Sequence, residues 1–174
     1  MKKWIAVFIV ILFGGAFLFW NSESIIDKKI QLLKNHISSE DLNSLFLLHD
    51  LPFNFKSNSY VVENFGDNYL FRDTYLFEEP NKILELQAIL GNNNHIDFGY
   101  SGELEEIELM GENAYYGYSI NVDNTQKVNF IYQYVTFTKE NIIYTITYQN
   151  TAEEQESYLK EQFLSVIKDN LKKM

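Results

Sequence analysis

The chain changes rhythm three times. From Trp4 to Trp20 there are 17 consecutive apolar or small residues. From Ser24 to Pro52 apolar side chains recur every three or four positions, the spacing of a helix face. From Ser57 to Gln149 they alternate in twos, as in half-buried strands, and after Thr151 the helical spacing returns.

The first block predicts a membrane-spanning helix. At about 1.5 Å per residue it covers roughly 26 Å, enough for a hydrocarbon core of about 30 Å when the ends snorkel and the bilayer thins. A secretory signal has a shorter apolar region, about 7–15 residues, and a small-residue cleavage site. Gly14-Gly15-Ala16 is the one such site, and cutting there would leave Phe17-Leu18-Phe19-Trp20 as a new end in water. Retention as a single-pass anchor over residues 1–21 is therefore expected, with Trp4 and Trp20 at the two interfaces. Lys2 and Lys3 precede the segment, and Asn21-Ser22-Glu23-Ser24 separates it from Lys28, Lys29 and Lys34. That flank places the amino terminus in the cytoplasm and the remaining chain outside the cell membrane.

Residues 22–56 read as helical. Ser24 and Asp27 make a weak capping box, and Ile26, Ile30, Leu33 and Ile37 share a face. Ser38-Ser39-Glu40-Asp41 starts a second helix with Leu42, Leu45, Phe46 and His49 on one side, ended by Leu51-Pro52. The region either extends the anchor as a stalk or folds back onto the domain.

Residues 57–174 predict an antiparallel sheet and a terminal helix. Ser59–Phe65 and Tyr69–Phe77 flank the turn Gly66-Asp67-Asn68. Lys82–Leu90 alternates as a strand, although Pro80 and Gly91 would also frame a helix; strand is the preferred reading. Asn92–Gly102 is a polar loop. Glu105–Met110 and Ala114–Val122 surround Gly111-Glu112-Asn113, and Lys127–Thr138 turns through Lys139-Glu140-Asn141 into Ile142–Gln149. Thr151 and Glu154 form a second capping box, followed by the stripe Leu159, Phe163, Val166, Ile167, Leu171 and a basic end, Lys168, Lys172 and Lys173. The fold class expected is α+β: one N-terminal transmembrane helix, then an antiparallel sheet packed by a C-terminal helix and N-terminal helices in an α/β/α sandwich-like arrangement.

Composition narrows the chemistry. All 24 acidic residues lie beyond residue 20 together with 12 of the 14 basic ones, so the domain carries 12 − 24 = −12. Nucleic acid is disfavoured, because binding it needs a basic footprint. Without cysteine there is no disulfide, thiolate metal site or lipid-modified cysteine. Abundant Tyr and Phe with only two prolines indicate an ordered, sheet-rich body, and the richness in Lys, Asn and Ile suggests an AT-rich bacterial genome.

From Leu104 to Lys172 the order is a strand, "MGENAYYGYS", two long strands in "VNFIYQYVTFTKENIIYTITYQ", and a capped helix. This resembles the carboxyl half of the PsbP-like family, through Gly111, Ala114, Tyr144, Thr147, Tyr148, Phe163 and Ile167. The resemblance covers about 70 of the 174 residues; the amino-terminal half departs from the pattern. It implies an α/β/α sandwich and a non-catalytic accessory or binding module, and it carries no site residue over.

No catalytic constellation is legible. His36, His49 and His95 form no metal-binding pair, and no His-Glu-x-x-His is present. Gly99-Tyr100-Ser101-Gly102 lacks a spacer of the nucleophile elbow and reads as a turn. Glu103, Glu105, Glu106 and Glu108 would supply too few oxygens for a cation and read as a charged strand edge. No catalytic, cofactor-binding or metal residue is assigned, and no cofactor is expected. Tyr116, Tyr118, Tyr132, Tyr134, Tyr144 and Tyr148 are the candidates for a partner-binding aromatic patch, against the plainer role of cross-strand packing. The expected function is a membrane-tethered extracytoplasmic, non-catalytic binding or accessory domain of a bacterial cell-envelope system. It would be held to the membrane by residues 4–20 and would bind a protein partner, not nucleic acid. The alternatives are a carrier of an apolar ligand and an immunity-type protein neutralising a toxin at the membrane.

Overall fold

A computed structural model describes residues 24–52, 54–65, 67–79, 82–91, 104–123, 128–151 and 156–173. The expected anchor, the loop 92–102 and Glu154 of the second capping box lie outside them. No helix among the described residues is long and apolar enough to cross a membrane. The chain divides into two compact units, residues 1–31 and 32–174.

The described part of the first unit holds most of helix α1 (Ile25–Lys34). Its start is reciprocally capped. Ser24 Oγ donates to Asp27 Oδ2 at 2.7 Å and accepts from the Asp27 N–H at 3.1 Å, and the Ser24 N–H donates to Asp27 Oδ2 at 3.2 Å. Donors left open at any helix start are thereby satisfied.

The second unit is mostly antiparallel sheet with few helices. After the short helix α2 (Ser39–Ser44) comes strand β1 (Phe46–Leu48). Then follow β2 (Phe55–Phe65), β3 (Asn68–Phe77), β4 (Ile83–Leu90), β5 (Glu105–Leu109), β6 (Glu112–Asp123), β7 (Val128–Lys139) and β8 (Ile142–Thr151). Helix α3 (Glu156–Asn170) and strand β9 (Leu171–Lys173) close the unit. β2 to β8 form one seven-stranded sheet in the order β2-β3-β4-β8-β7-β6-β5, and β1 pairs antiparallel with β9. The turns set the pairing. Met110 and Gly111 have φ of 56° and 79°, and Glu140 and Asn141 have 49° and 65°. Positive φ at both central residues marks the two-residue hairpin turn whose twist matches the strands it joins.

Two sequence expectations need correction. The predicted second helix, through Phe46 to His49, stops at Ser44. Leu45, Phe46, Leu47 and Leu48 are all 3% exposed or less, and a helix with one buried face cannot hide four residues in succession. As a strand the segment pairs with β9 and is held to the sheet by the hydroxyls of Tyr144 and Tyr75. The terminal helix likewise ends at Asn170, and Leu171–Lys173 turns into the strand that pairs with Phe46–Leu48. Residues 39–48 therefore belong to the body of the domain.

One face of the sheet carries α3. On that face lie Phe71, Asp73 and Tyr75 of β3; Leu84, Leu86 and Ala88 of β4; Tyr144, Ile146 and Tyr148 of β8; and Val135 and Phe137 of β7. Phe163 and Ile167 of α3 are 3% and 0% exposed, and the Phe163 ring stacks on Tyr148 with centroids 6.0 Å apart. Burial of each such side chain contributes about 1.5–3 kcal/mol before chain entropy is subtracted. The opposite face is mostly polar, with Arg72, Thr74, Glu85, Gln87, Thr136 and Thr145, and a small buried cluster of Leu70, Ile89 and Ile143.

Candidate functional site

The six candidate tyrosines fall on both faces of the sheet. The register sets Tyr116 opposite Val135, Tyr118 opposite Gln133, Phe137 opposite Tyr144, and Gln133 opposite Tyr148. Tyr116, Tyr118, Tyr144 and Tyr148 therefore share the α3 side. Tyr132 and Tyr134 pair with Ser119 and Gly117 on the other. Tyr116, Tyr134 and Tyr144 are 4%, 1% and 0% exposed, Tyr132 and Tyr148 are half-buried, and Tyr118 is 39% exposed. Tyr134 lies flat across Gly117, where a Cβ would sit 2.5 Å from its ring and hydroxyl oxygen.

Tyr144 is a clamp. Its hydroxyl accepts from the Phe46 N–H at 3.1 Å and lies 3.4 Å from Ser44 O, to which it donates. Its ring stacks on Phe137 at 4.9 Å and meets Phe46 edge-on at 5.8 Å. Burial raises its pKa, the bond from Phe46 opposes the shift, and the charge of Glu140 adds to it. Tyr75 holds the other end of β1, its hydroxyl 3.2 Å from Leu48 O and 3.1 Å from Asp73 Oδ2. One hydroxyl proton there faces two acceptors. Asp73 is fully buried, and its Oδ1 accepts from Asn58 Nδ2 at 2.8 Å. Burial raises the Tyr75 pKa most, followed by the charge of Asp73 and the hydrogen bond to it. This network positions β1 over the sheet, while the His49 N–H donates to Asn170 O at 2.8 Å and fixes the chain to the end of α3.

Sequence reading passed over Asp73, although it stands within the inward series Tyr69, Phe71, Asp73, Tyr75, Phe77. An acid at an apolar position of an alternating strand is the signal that would have found it.

The exposed aromatic surface is smaller than six residues. On the α3 side of β6, Tyr118 and Ile120 are 39% and 53% exposed and two positions apart. Beside them lies the Tyr116–Gln133 pair, in which the tyrosine hydroxyl donates to Gln133 Oε1 at 3.0 Å. Gln133 is 1% exposed, and its Nε2 has no hydrogen-bond partner. Buried amide donors are normally satisfied. Lys160 stands 4.9 Å above the Tyr116 ring and is ion-paired with Glu105. The part of this arrangement that reaches solvent is the apolar strip of Tyr118 and Ile120, which suits docking of a peptide or protein surface.

The remaining candidates do not converge. His36 is exposed with its ring 5.8 Å from that of Tyr69, His49 is half-buried at the end of β1, and His95 is outside the described residues. Glu105 is on the α3 side of β5, whereas Glu106 and Glu108 are exposed on the other side. Among the described residues no group of three His, Asp or Glu side chains could hold a metal ion. No family model, curated protein or solved structure matches this chain.

Proposed function

We propose that this chain is a membrane-tethered extracytoplasmic domain of a bacterial cell-envelope system, non-catalytic, that binds a protein partner through Tyr118 and Ile120. The observation that carries the binding role is this exposed apolar pair. A partner's apolar side chains would cover the strip and remove it from water. The tether rests on the 17 apolar residues from Trp4 to Trp20. The resemblance of residues 104–172 to the PsbP-like carboxyl half supports an accessory role. An α/β/α layering belongs to the same proposal, and burial of Leu70, Ile89 and Ile143 on the face away from α3 supports a second layer there.

Site-directed photocrosslinking in the native host tests the binding role. A photoreactive residue at Ile120 should give one dominant protein adduct, which the same residue at exposed Leu76 should not give. No adduct at 120, or the same adducts from both positions, would refute it. Fractionation tests the tether: the intact chain, Met1 included, should sediment with membranes and resist alkaline carbonate.

A further inference from the structure

β2 is the outermost strand at its end of the sheet, and among the described residues no strand pairs with its outer side. It is 11 residues long. A strand of that length leaves a row of open N–H and C=O groups, the template on which another strand adds, and proteins blunt such edges with charge, proline, bulges or shortness. β2 has no proline, one lysine (Lys56) and one glutamate (Glu63). Its single irregularity, between Phe55 and Ser57, lies at one end, so Ser57–Phe65 is regular. Val61, at the middle of that run, is 40% exposed.

The register fixes which groups are open. Phe65 pairs with Asn68 across a two-residue connection, and such closing pairs are hydrogen-bonded. Odd-numbered residues from Ser57 to Phe65 thus bond to β3. Asn58, Tyr60, Val62 and Asn64 turn their N–H and C=O groups outward, by the alternation of an antiparallel ladder. A second copy related by a two-fold axis through Val61 meets this edge with complementary groups. Tyr60 faces the partner copy's Val62, Asn58 faces its Asn64, and each such pair exchanges two bonds, about eight in all. Tyr60 opposite Val62 is the aromatic–β-branched pairing that stabilises sheets. Val61 meets itself in a non-hydrogen-bonded pair, where side chains approach most closely. Glu63 faces Ser59, so no like charges are opposed.

The geometry points to a homodimer in which β2 strands of two copies pair antiparallel about Val61 and make one continuous sheet. The occupant is a second copy because at this register the edge is self-complementary in hydrogen bonds, apolar contacts and charge. The chain's overall charge of −10 opposes self-association elsewhere, but β2 itself is neutral. This surface is at the far side of the sheet from Tyr118 and Ile120, so the dimer does not rest on the proposed partner site.

The absence of cysteine permits a direct test on the full chain in detergent micelles. In this register the two Val61 Cα atoms lie about 4.5 Å apart, within disulfide range. Ser59 and its copy, or Glu63 and its copy, are offset by four positions, about 13 Å, beyond that range. Mild oxidation of Val61→Cys should yield at least about tenfold more disulfide dimer than Ser59→Cys or Glu63→Cys. Sedimentation should show a dimer for the parent chain and a monomer for Val61→Lys. Failure of Val61→Cys to cross-link, or equal cross-linking at all three positions, would overturn the proposal. If Val61→Lys does not fold, the three-cysteine pattern decides; a dimer formed through another surface would leave position 61 uncross-linked.

Discussion

β5 is five residues long and carries three glutamates; β2, at the other edge of the same sheet, is 11 residues long and carries one lysine and one glutamate. The short edge is also tied down from above, where Lys160 of α3 pairs with Glu105. The long edge is tied to its inner neighbour by Asn58 on Asp73 at 2.8 Å and more loosely by Arg72 and Glu63 at 3.9 Å. Charge along β5 repels an incoming strand, and its length offers few bonds to gain. The difference teaches that protection against edge pairing is local. A strongly acidic chain can still leave one edge neutral, and that edge is where the proposed strand pairing would occur.

The sharpest way to break the comparison is to ask whether the two wings are separate bodies. Phe71, in the β2 wing, and Phe137, in the β5 wing, are 0% and 2% exposed. Phe71→Ala and Phe137→Ala should each cost about 3–5 kcal/mol in denaturant unfolding followed by fluorescence and circular dichroism. Coincident single transitions in both variants mean one cooperative sheet; a transition lost in one wing only would make the edges properties of independent halves. Next in size is Gly117→Ala, which drives a methyl group into Tyr134 and should cost about 1–3 kcal/mol. Tyr134→Leu in the same chain should recover part of that loss, and a double-mutant cycle measures the coupling.

The two tyrosine clamps, both on the α3 face of the sheet, differ more finely. Tyr144→Phe strands the buried Phe46 N–H and should cost about 1–3 kcal/mol, whereas Tyr75→Phe removes a donor from two acceptors and should cost about 0.5–1.5 kcal/mol. Their pH dependence has a definite sign. Both hydroxyls have folded pKa values above the unfolded value of 10.0. The stability linked to them is complete below pH 10 and is lost as pH rises beyond it toward the raised folded values. Alkaline unfolding curves should therefore fall less steeply above pH 10 in either phenylalanine variant. The smallest effect belongs to the edge itself: Lys160→Ala should change stability by less than about 1 kcal/mol, because the Glu105 partner is 59% exposed.

Strands and turns were legible because alternation and turn chemistry act within a few residues. Ile83–Leu90 showed its alternation against the framing of Pro80 and Gly91, and the structure makes it a strand. β1 and β9 left no periodic trace: each is three residues long and owes its conformation to a partner far along the chain. Phe46 looked like one more apolar residue of a helix face, and Leu171 like the end of a stripe. The tyrosines were grouped by type because strand parity was not carried through the turns. The register that pairs Asp123 with Val128, and hence Tyr118 with Gln133, puts Tyr118 and Tyr132 on opposite faces. Asp73 was hidden by its neighbours, since a single acid does not disturb the alternation of Tyr69, Phe71, Tyr75 and Phe77.

Tyr144 and Ser44 are 100 positions apart, and the partner of Phe46 is Lys173. A ribosome adding about 5–20 residues per second needs on the order of ten seconds to make the intervening chain. During that interval Leu45 to Leu48 have no strand to pair with, and the hairpins can already be forming. The clasp closes after the sheet it fastens, so a nascent chain stalled before Leu171 would present a greasy, unlatched segment to chaperones and proteases.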